Sequence, residues 1–248
     1  MTTGARSLKS SEEIQNIDTF ASIQAVDEYS TLSDLFPIEA RILDHVFPPA
    51  PARVLDLGCG AGRTTIHLQS RGYQVTAGDI VPAMIEKAKS RVPGVDFRVL
   101  DATRIDLASE QFDAVWFSFN GLDYIYPFSS RLSALREIKR VLKPGGMFVY
   151  SSHNIIGRCT RVSRPLVAYH LAFLYQSLGR PLLQNYWRER HYGDQWLTAY
   201  CGIPTRQVRT LQNVGFEFLG MESRYGETMP GITLKDYWPH YVARKRAL

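Results

Sequence analysis

The chain has 248 residues, of which 45% are hydrophobic and 21% charged, and this allows one globular domain with a buried core or one domain with a sizeable insertion. The polar start, MTTGARSLKSSEEIQ, lacks the apolar stretch of a secretory signal, and no run approaches the roughly 18 apolar residues of a membrane span. The three cysteines are far apart and form no CxxC pair, which argues against a metal site and favours free thiols in the cytoplasm. The formal net charge of +5 allows an acidic partner but does not favour nucleic acid.

The first 50 residues predict a helical lead-in that serves as a lid. Residues 1–20 are polar and predict a mobile segment. The stretch DLFPIEARILDHVF then spaces its apolar residues on one helical face, and the pair Pro48-Pro49 ends that helix. We expect residues 1–50 to form a unit of their own ahead of the residues that follow.

Strands and helices alternate regularly over residues 51–154. The predicted strands are RVLDL, QVTAGD, VDFRVLD, FDAVWFSF and MFVYSS, and the predicted helices between them are RTTIHLQSR, PAMIEKAKSR and SRLSALREIKRVL. This alternation predicts an α/β fold with a doubly wound, mostly parallel sheet and right-handed crossovers.

The regular alternation stops after residue 154. Residues 155–203 contain much aromatic material and no clear strand, which predicts a helical insertion over the crevice of the sheet, where it would close around an apolar or aromatic substrate. A homodimer interface is the alternative role of this segment. Residues 204–248 predict a helix, TRQVRTLQNVGF, and two strands, FEFLGMESR and HYVARKR, that pair antiparallel at one edge. The complete sheet would have seven strands, with the last one antiparallel.

The stretch RVLDLGCGAG places a glycine-rich turn between the first strand and the first helix. Such a turn lets a ligand approach bare backbone at a helix N-terminus. Gly58, Gly60 and Gly62 form G-x-G-x-G, and Arg63 stands where a dinucleotide fingerprint has its last glycine. Asp79 ends the second strand and is placed to accept hydrogen bonds from a ribose, so the turn predicts a nucleotide-like ligand.

The motifs VLDLGCGAG, TAGDIVPAMIEKAK, VLDATRIDL, FDAVWFSFN and LKPGGMFVYSS resemble, in order and spacing, those of class I S-adenosylmethionine-dependent methyltransferases. The resemblance covers about residues 50 to 152 and implies a Rossmann-like core that binds S-adenosylmethionine. It implies that Asp79 binds both ribose hydroxyls and that Asp101 faces the adenine amino group. The implied cofactor-binding residues are Tyr29, Asp56, Gly58, Cys59, Gly60, Gly62, Asp79, Ile80, Asp101, Ala102, Phe117 and Ser118.

Methyl transfer to a hydroxyl also requires that a proton be removed, and histidine is the natural base near neutral pH. His153 ends the fifth strand, Asp123 follows the fourth strand, and His191 lies in the insertion, so these three are the catalytic candidates. Structural hydrogen bonding or helix capping is the alternative role of each. The candidate substrate contacts are Asn120, Tyr124, Tyr192 and Trp196.

The favoured function is methylation of a small molecule, at a hydroxyl oxygen of an apolar or aromatic metabolite. N-methylation of a small amine and methylation of a nucleic acid or protein are alternatives, although FSFNGLDY lacks the Asn/Asp-Pro-Pro-aromatic motif of base N-methylation. A nicotinamide dehydrogenase is disfavoured by Arg63. A cofactor-binding protein without catalysis stays open, because alignment of the reactants requires no particular catalytic residue.

Overall fold

The computed structural model describes residues 9–159, 186–192, 195–224 and 235–247. The main sheet consists of seven strands: β1 Arg53–Leu57, β2 Gln74–Asp79, β3 Asp96–Val99, β4 Phe112–Phe117, β5 Leu142–Ser151, β9 Phe216–Glu222 and β10 His240–Lys245. Three further strands form a small second sheet: β6 His153–Asn154, β7 Tyr186–His191 and β8 Gln195–Gly202. The described helices are α1 Ser11–Phe20, α2 Ile23–Thr31, α3 Pro37–His45, α4 Arg63–Ser70, α5 Pro82–Arg91, α6 Phe128–Val141, α7 Ile155–Cys159 and α8 Pro204–Val214.

The order of strands in the main sheet is β3-β2-β1-β4-β5-β10-β9. Strands β1 to β5 pair in parallel, and β10 lies antiparallel between β5 and β9. The predicted mostly parallel seven-stranded sheet with an antiparallel last strand is therefore confirmed. The connections change direction between β1 and β4, and in sheets of this kind ligands bind at the carboxyl ends of the strands at such a point.

Both faces of the main sheet are buried under helices. Alternate residues of β1 belong to different cores: Leu55 and Leu57 pack with α6 and α8, whereas Val54 packs with α3 and Leu68 of α4. Strands that are buried on both faces read as continuous apolar runs, which is why RVLDL and FDAVWF stand out in the sequence.

Helix α1 occupies part of the segment for which the polar sequence predicts mobility. Ser10 caps its N-terminus by accepting from the backbone N–H of Glu13, the pattern expected of a Ser-x-x-Glu sequence. Asn16 then ties the helix to the small sheet: its Nδ2 donates to the carbonyls of Tyr124 and Thr198, and its Oδ1 accepts from the Thr198 backbone N–H. The prediction of a mobile segment is therefore wrong for residues 11–20.

The predicted helical insertion is also wrong for residues 186–202. There β7 and β8 form an antiparallel pair running from Tyr186 opposite Tyr200 to His191 opposite Gln195, and β6 adds to β8 in parallel. The aromatic side chains at 186, 187, 196 and 200 suit a sheet surface, where their stiff rings pack across strands. Residues 160–185 of the predicted insertion lie outside the described residues. None of the described helices is long and apolar enough to cross a membrane.

Candidate functional site

A cavity of about 900 Å³, counted with its open mouth, lies at the carboxyl ends of β1 to β4. Its walls are mainly apolar and come from the strand ends, helices α1 and α2, the start of α5 and the turn after β4. The cavity is lined by Glu13, Asn16, Ile17, Phe20, Tyr29, Leu57, Gly58, Gly60, Asp79, Ile80, Val81, Met84, Leu100, Asp101, Ala102, Thr103, Phe117, Ser118, Phe119, Gly121, Tyr124 and Ile125. Nine of the twelve residues expected to bind the cofactor are among them.

The glycine turn presents bare backbone to this cavity. Gly58 has φ +66°, and a Cβ atom there would lie 2.4 Å from the Phe117 ring. Gly60 has φ +52°, and its Cβ would meet the Tyr29 ring at 3.4 Å. Side chains at these positions would occupy the space between the turn and the two rings, so a ligand can approach the backbone only because both residues are glycine.

Asp79 joins the glycine turn to the start of α5. One carboxylate oxygen accepts from the Gly60 backbone N–H at 2.9 Å and the other from the Val81 backbone N–H at 2.9 Å. Burial raises the pKa of Asp79. The carboxylate stands at the cavity wall at the end of β2, the position from which a ribose can be bound.

Asp101 lies one strand further along the same edge and is bonded to the segment that precedes helix α1. The Lys9 ammonium donates to its carboxylate at 2.8 Å, and the Thr103 backbone N–H and hydroxyl donate at 2.8 and 2.7 Å. Burial alone would raise the pKa of Asp101, but these hydrogen bonds bring it below its ordinary value. The predicted adenine-facing carboxylate is thus covered by the segment that leads into α1.

Three residues expected to bind the cofactor lie outside the cavity lining. Asp56 is fully buried, and its Oδ2 accepts from the hydroxyls of Thr64 and Thr65, so it holds the first turn of α4 beneath the glycine turn. Cys59 belongs to the core between β2, α4 and α5. Gly62 has φ +86° and packs against Ala88 and Val92 of α5, both of which a Cβ would meet at 3.3 Å. Gly62 therefore packs closely against α5, and its contact with the cofactor stays a prediction that this placement does not support.

Arg63, which replaces the last glycine of a dinucleotide fingerprint, forms a buried ion pair. Its guanidinium donates to both carboxylate oxygens of Glu39 in α3, at 2.6 and 2.8 Å, and to the Ser118 hydroxyl at 2.9 Å. Burial opposes ionisation of Glu39, but the Arg63 guanidinium holds the pKa of this carboxyl below its ordinary value. The pair joins α3 and α4 to the end of β4.

Asp123 is the centre of a second buried network. Its Oδ1 accepts from the Arg131 guanidinium at 2.9 Å and from the Ser152 hydroxyl at 2.7 Å. Its Oδ2 accepts from the backbone N–H of His153 at 2.6 Å and pairs with His153 Nδ1 at 2.8 Å. Neither Asp123 nor His153 lines the cavity, and the Tyr124 ring lies against the His153 ring. Asp123 therefore has a structural role in this network. A catalytic role for Asp123 and His153 stays a prediction that their placement does not support.

The candidates on the small sheet differ in their position. Tyr192 is hydrogen-bonded to Tyr29 at the edge of the cavity, although it does not line the cavity itself. His191 pairs through Nε2 with Glu189 at 2.7 Å and is also outside the lining. Trp196 lies under the guanidinium groups of Arg188 and Arg190. The placement of Trp196 therefore does not support its predicted contact with substrate in this cavity. The placement of His191 likewise does not support its predicted role as a base.

Four of the lining residues that the sequence analysis missed come from α1. Glu13, Asn16, Ile17 and Phe20 all line the cavity, at the three- and four-residue spacing of one helical face. The capping sequence at Ser10 followed by this spacing is the signal that would have found them.

The match with known proteins is consistent with this site. A family model described as a methyltransferase domain matches residues 54–146. A ubiquinone/menaquinone biosynthesis C-methyltransferase of Desulfotalea psychrophila is 34% identical over 200 residues, which are 77% of this chain and 74% of that protein. A demethylmenaquinone methyltransferase of Clavibacter sepedonicus is 37% identical over 107 residues, 42% of each chain. A solved structure of a SAM-dependent methyltransferase from Methanosarcina mazei superposes with a TM-score of 0.67 at 22% identity and covers 87% of this chain and 100% of its own.

The chain belongs to the class I S-adenosylmethionine-dependent methyltransferases. The relative from Desulfotalea carries this conclusion, because its similarity extends over three quarters of both chains. For four other curated relatives the chain spans only 41% to 46% of their length. The cofactor of the family is S-adenosylmethionine, and the bare glycine backbone and the carboxylate of Asp79 at the cavity wall fit it.

Proposed function

We propose that this protein transfers the methyl group of S-adenosylmethionine to a small molecule, at a hydroxyl oxygen of an apolar or aromatic metabolite. The observation that carries the proposal is one cavity that combines the glycine turn and two acidic strand ends with a mainly apolar remainder. The polar elements suit the nucleoside, and the apolar walls suit an acceptor of low polarity.

The nucleoside end of the cavity is formed by β1, β2 and β3. Asp79 would accept from the two ribose hydroxyls, Ile80 would pack on the adenine, and Asp101 would accept from its amino group. Because Lys9 now donates to Asp101, the amino group would take the place of the Lys9 ammonium or share the carboxylate with it.

The acceptor end lies around the turn that follows β4. Phe20 contacts the rings of Tyr29 and Tyr124, and Phe119 contacts Tyr29 from the other side. An aromatic enclosure of this kind excludes water and orients a flat acceptor. Such orientation can supply on the order of 7–11 kcal/mol of barrier lowering when the reacting atoms are held in line.

The cofactor supplies a methyl group that its sulfonium already activates, so the task left to the chain is to bind, align and exclude water. This division of work agrees with the burial of Asp123 and His153 outside the cavity lining. A phenolic acceptor with a pKa about 10 still has to lose its proton, to a side chain of the cavity or to water.

A ring carbon is the second candidate acceptor. It is favoured by the relative from Desulfotalea, whose name specifies C-methylation in quinone biosynthesis. The same aromatic walls would bind an acceptor that is methylated at a hydroxyl oxygen or at a ring carbon. The walls contact the flat ring of the acceptor and do not depend on which of its atoms reacts.

A screen for release of S-adenosylhomocysteine tests the proposal. The purified protein is incubated with S-adenosylmethionine and with panels of phenols, quinols, amines, carboxylates and sugars. We expect turnover with phenols or quinols, and mass spectrometry of the product then separates an O-methyl from a C-methyl group. Turnover confined to amines, carboxylates or sugars would contradict the proposed acceptor.

A further inference from the structure

A second, smaller cavity adjoins the first on the far side of Phe119. Its empty space is about 280 Å³ with the open mouth included, of which only about 10 Å³ is wide enough for the centre of a bound oxygen atom, so the enclosed part has room for one hydroxyl or one water molecule. It lies among the ends of β4, β5 and β10. Phe119 lines both cavities, so the two cavities adjoin at this residue. The second cavity is lined by Phe36, Ile38, Glu39, Phe119, Asn120, Ser151, Arg224, Trp238 and His240.

Unsatisfied polar atoms concentrate in this small space. Asn120 Oδ1, Trp238 Nε1 and both ring nitrogens of His240 are buried without a hydrogen-bond partner within the described part of the chain. Asn120 and His240 are only 3% and 4% exposed. Buried polar groups are almost always paired, so four such atoms around one cavity indicate that a polar group binds among them. A hydroxyl can pair with three of the four, because it donates once and accepts twice.

The charged groups of this cavity already have partners of opposite charge. Glu39 is bidentate with Arg63, and the Arg224 guanidinium stacks on Trp238 and lies 3.6 Å from the Asp236 carboxylate. Burial lowers the pKa of His240 to about 4, so its ring is neutral near pH 7 and offers one donor and one acceptor. The cavity therefore suits an uncharged group that both donates and accepts, which is the property of a hydroxyl.

The walls of the cavity favour an aromatic carrier for that hydroxyl. The rings of Phe36 and Phe119 stack with centroids 5.7 Å apart, and Trp238 meets Phe119 edge-on at 5.8 Å. A flat ring that enters beside Phe119 would extend these contacts, whereas a sugar or an aliphatic chain would not.

The backbone between the cavities is unusual. Phe119 and Asn120 have φ of +51° and +59°, and consecutive non-glycine residues in the left-handed region are uncommon. The Asn120 backbone N–H donates to the Ser151 hydroxyl at 2.8 Å, which fixes this turn on β5. Strain of this kind collects at ligand sites, and here it accompanies the placement of Phe119 in the wall of both cavities and of Asn120 in the wall of the second one.

We infer that the second cavity is the recognition end of the acceptor site and binds a phenolic hydroxyl between Trp238 Nε1, His240 and Asn120 Oδ1. This rests on the proposed methyl transfer, and the hydroxyl bound here is not the reacting atom, which lies on the main-cavity side of Phe119. The acceptor is then an aromatic ring with at least one hydroxyl besides the atom that receives the methyl group.

The probe for this inference is phenol, compared with toluene, which has the same ring and a methyl group in place of the hydroxyl. The four tryptophans give four indole N–H resonances in a ¹H–¹⁵N spectrum of the full chain saturated with S-adenosylhomocysteine. Trp238→Phe and Trp196→Phe assign two of them. We expect phenol to shift the Trp238 resonance and leave Trp196 unmoved, with an affinity at least about fivefold higher than that of toluene.

His240→Leu tests the hydrogen bond itself, with His45→Leu, an exposed residue at the end of α3, as its control. The preference for phenol should fall below twofold in the first variant and stay unchanged in the second. If His240→Leu does not fold, saturation-transfer NMR of phenol and toluene on Trp238→Phe answers the same question.

Three results would overturn the inference: no shift of Trp238 with phenol, equal affinity for toluene, or an unchanged preference in the His240 and Trp238 variants. The first would also be the result if the cavity binds only a water molecule. Failure of S-adenosylhomocysteine to bind while phenol still shifts Trp238 would contradict the proposed function and not the phenol site.

Discussion

Replacing Asp123 by alanine separates its structural role from the catalytic role that the sequence suggests. The carboxylate accepts four hydrogen bonds, from Arg131, from the Ser152 hydroxyl and from the backbone and ring of His153. Its partner Arg131 is fully buried in α6. Asp123→Ala would leave this guanidinium without its counter-charge in the core.

The expected loss of stability is large. Removal of one partner of a buried ion pair costs about 3–5 kcal/mol, because the remaining charge stays buried and unpaired. Arg131 would keep its bonds to the Leu122 carbonyl and to Gln207, which favours the lower half of that range. In a chain of this size such a loss lowers Tm by about 10 °C.

Urea and thermal unfolding followed by circular dichroism measure the effect. Glu86→Ala is the matched control, because Glu86 forms an exposed pair with Lys89 and its loss should change stability by less than about 1 kcal/mol. If Asp123→Ala unfolds like the wild type but loses turnover, the structural reasoning is refuted and Asp123 acts in catalysis.

Three further predictions concern the glycine turn and its surroundings. Burial raises the pKa of Asp56 from its ordinary 3.8 to about 6. Between these two pH values the folded protein therefore keeps a proton that the unfolded chain has released. The stability that this group contributes is present at low pH and is lost as the pH rises through 6. Asp56→Asn should thus gain about 2 kcal/mol relative to wild type between about pH 4.5 and 7.5 in urea unfolding, and parallel pH profiles would contradict this. Gly58→Ala should weaken binding of S-adenosylhomocysteine at least about tenfold by calorimetry, because its Cβ would overlap the Phe117 ring. Gly220→Ala, whose Cβ would have nothing within 4 Å, should bind with unchanged affinity. Equal affinities in the two variants would refute the argument that the ligand needs bare backbone at Gly58. Tyr29→Phe loses the hydrogen bond to Tyr192, and we expect a few-fold weaker affinity in the same titration; an unchanged value would show that this hydroxyl does not hold the cavity closed.

The central sheet was predictable because its signals are local. Each strand is a short apolar run that ends at a helix with its own boundary residues, and the acidic residues at 56, 79 and 101 mark successive strand ends. Parallel topology then brings those ends to one edge without further information. Nine of the cofactor contacts expected from the motifs accordingly line the cavity.

The sequence is less informative where the outcome depends on distant contacts. Residues 186–202 carry aromatic side chains that suit a helix face or a sheet, and the pairing of β8 with β6 and its contact with α1 decide in favour of the sheet. Asp123 looks like an exposed acid beside a crevice until Arg131, on the next helix, is seen to pair with it. The packing of Gly62 on α5 likewise depends on where that helix lies, which the turn motif does not specify.

Calorimetric titration with S-adenosylmethionine and with NAD tests directly whether this cavity binds the methyl donor. We predict saturable binding to the wild type, no binding of NAD, and an affinity at least about 30-fold lower in Asp79→Ala, since two hydrogen bonds from the ribose to a carboxylate are lost. Asp96→Ala, an exposed carboxylate at the start of β3, should bind like the wild type. Binding of NAD instead of S-adenosylmethionine, or equal affinity in the Asp79 variant, would contradict the assignment of this cavity to the methyl donor.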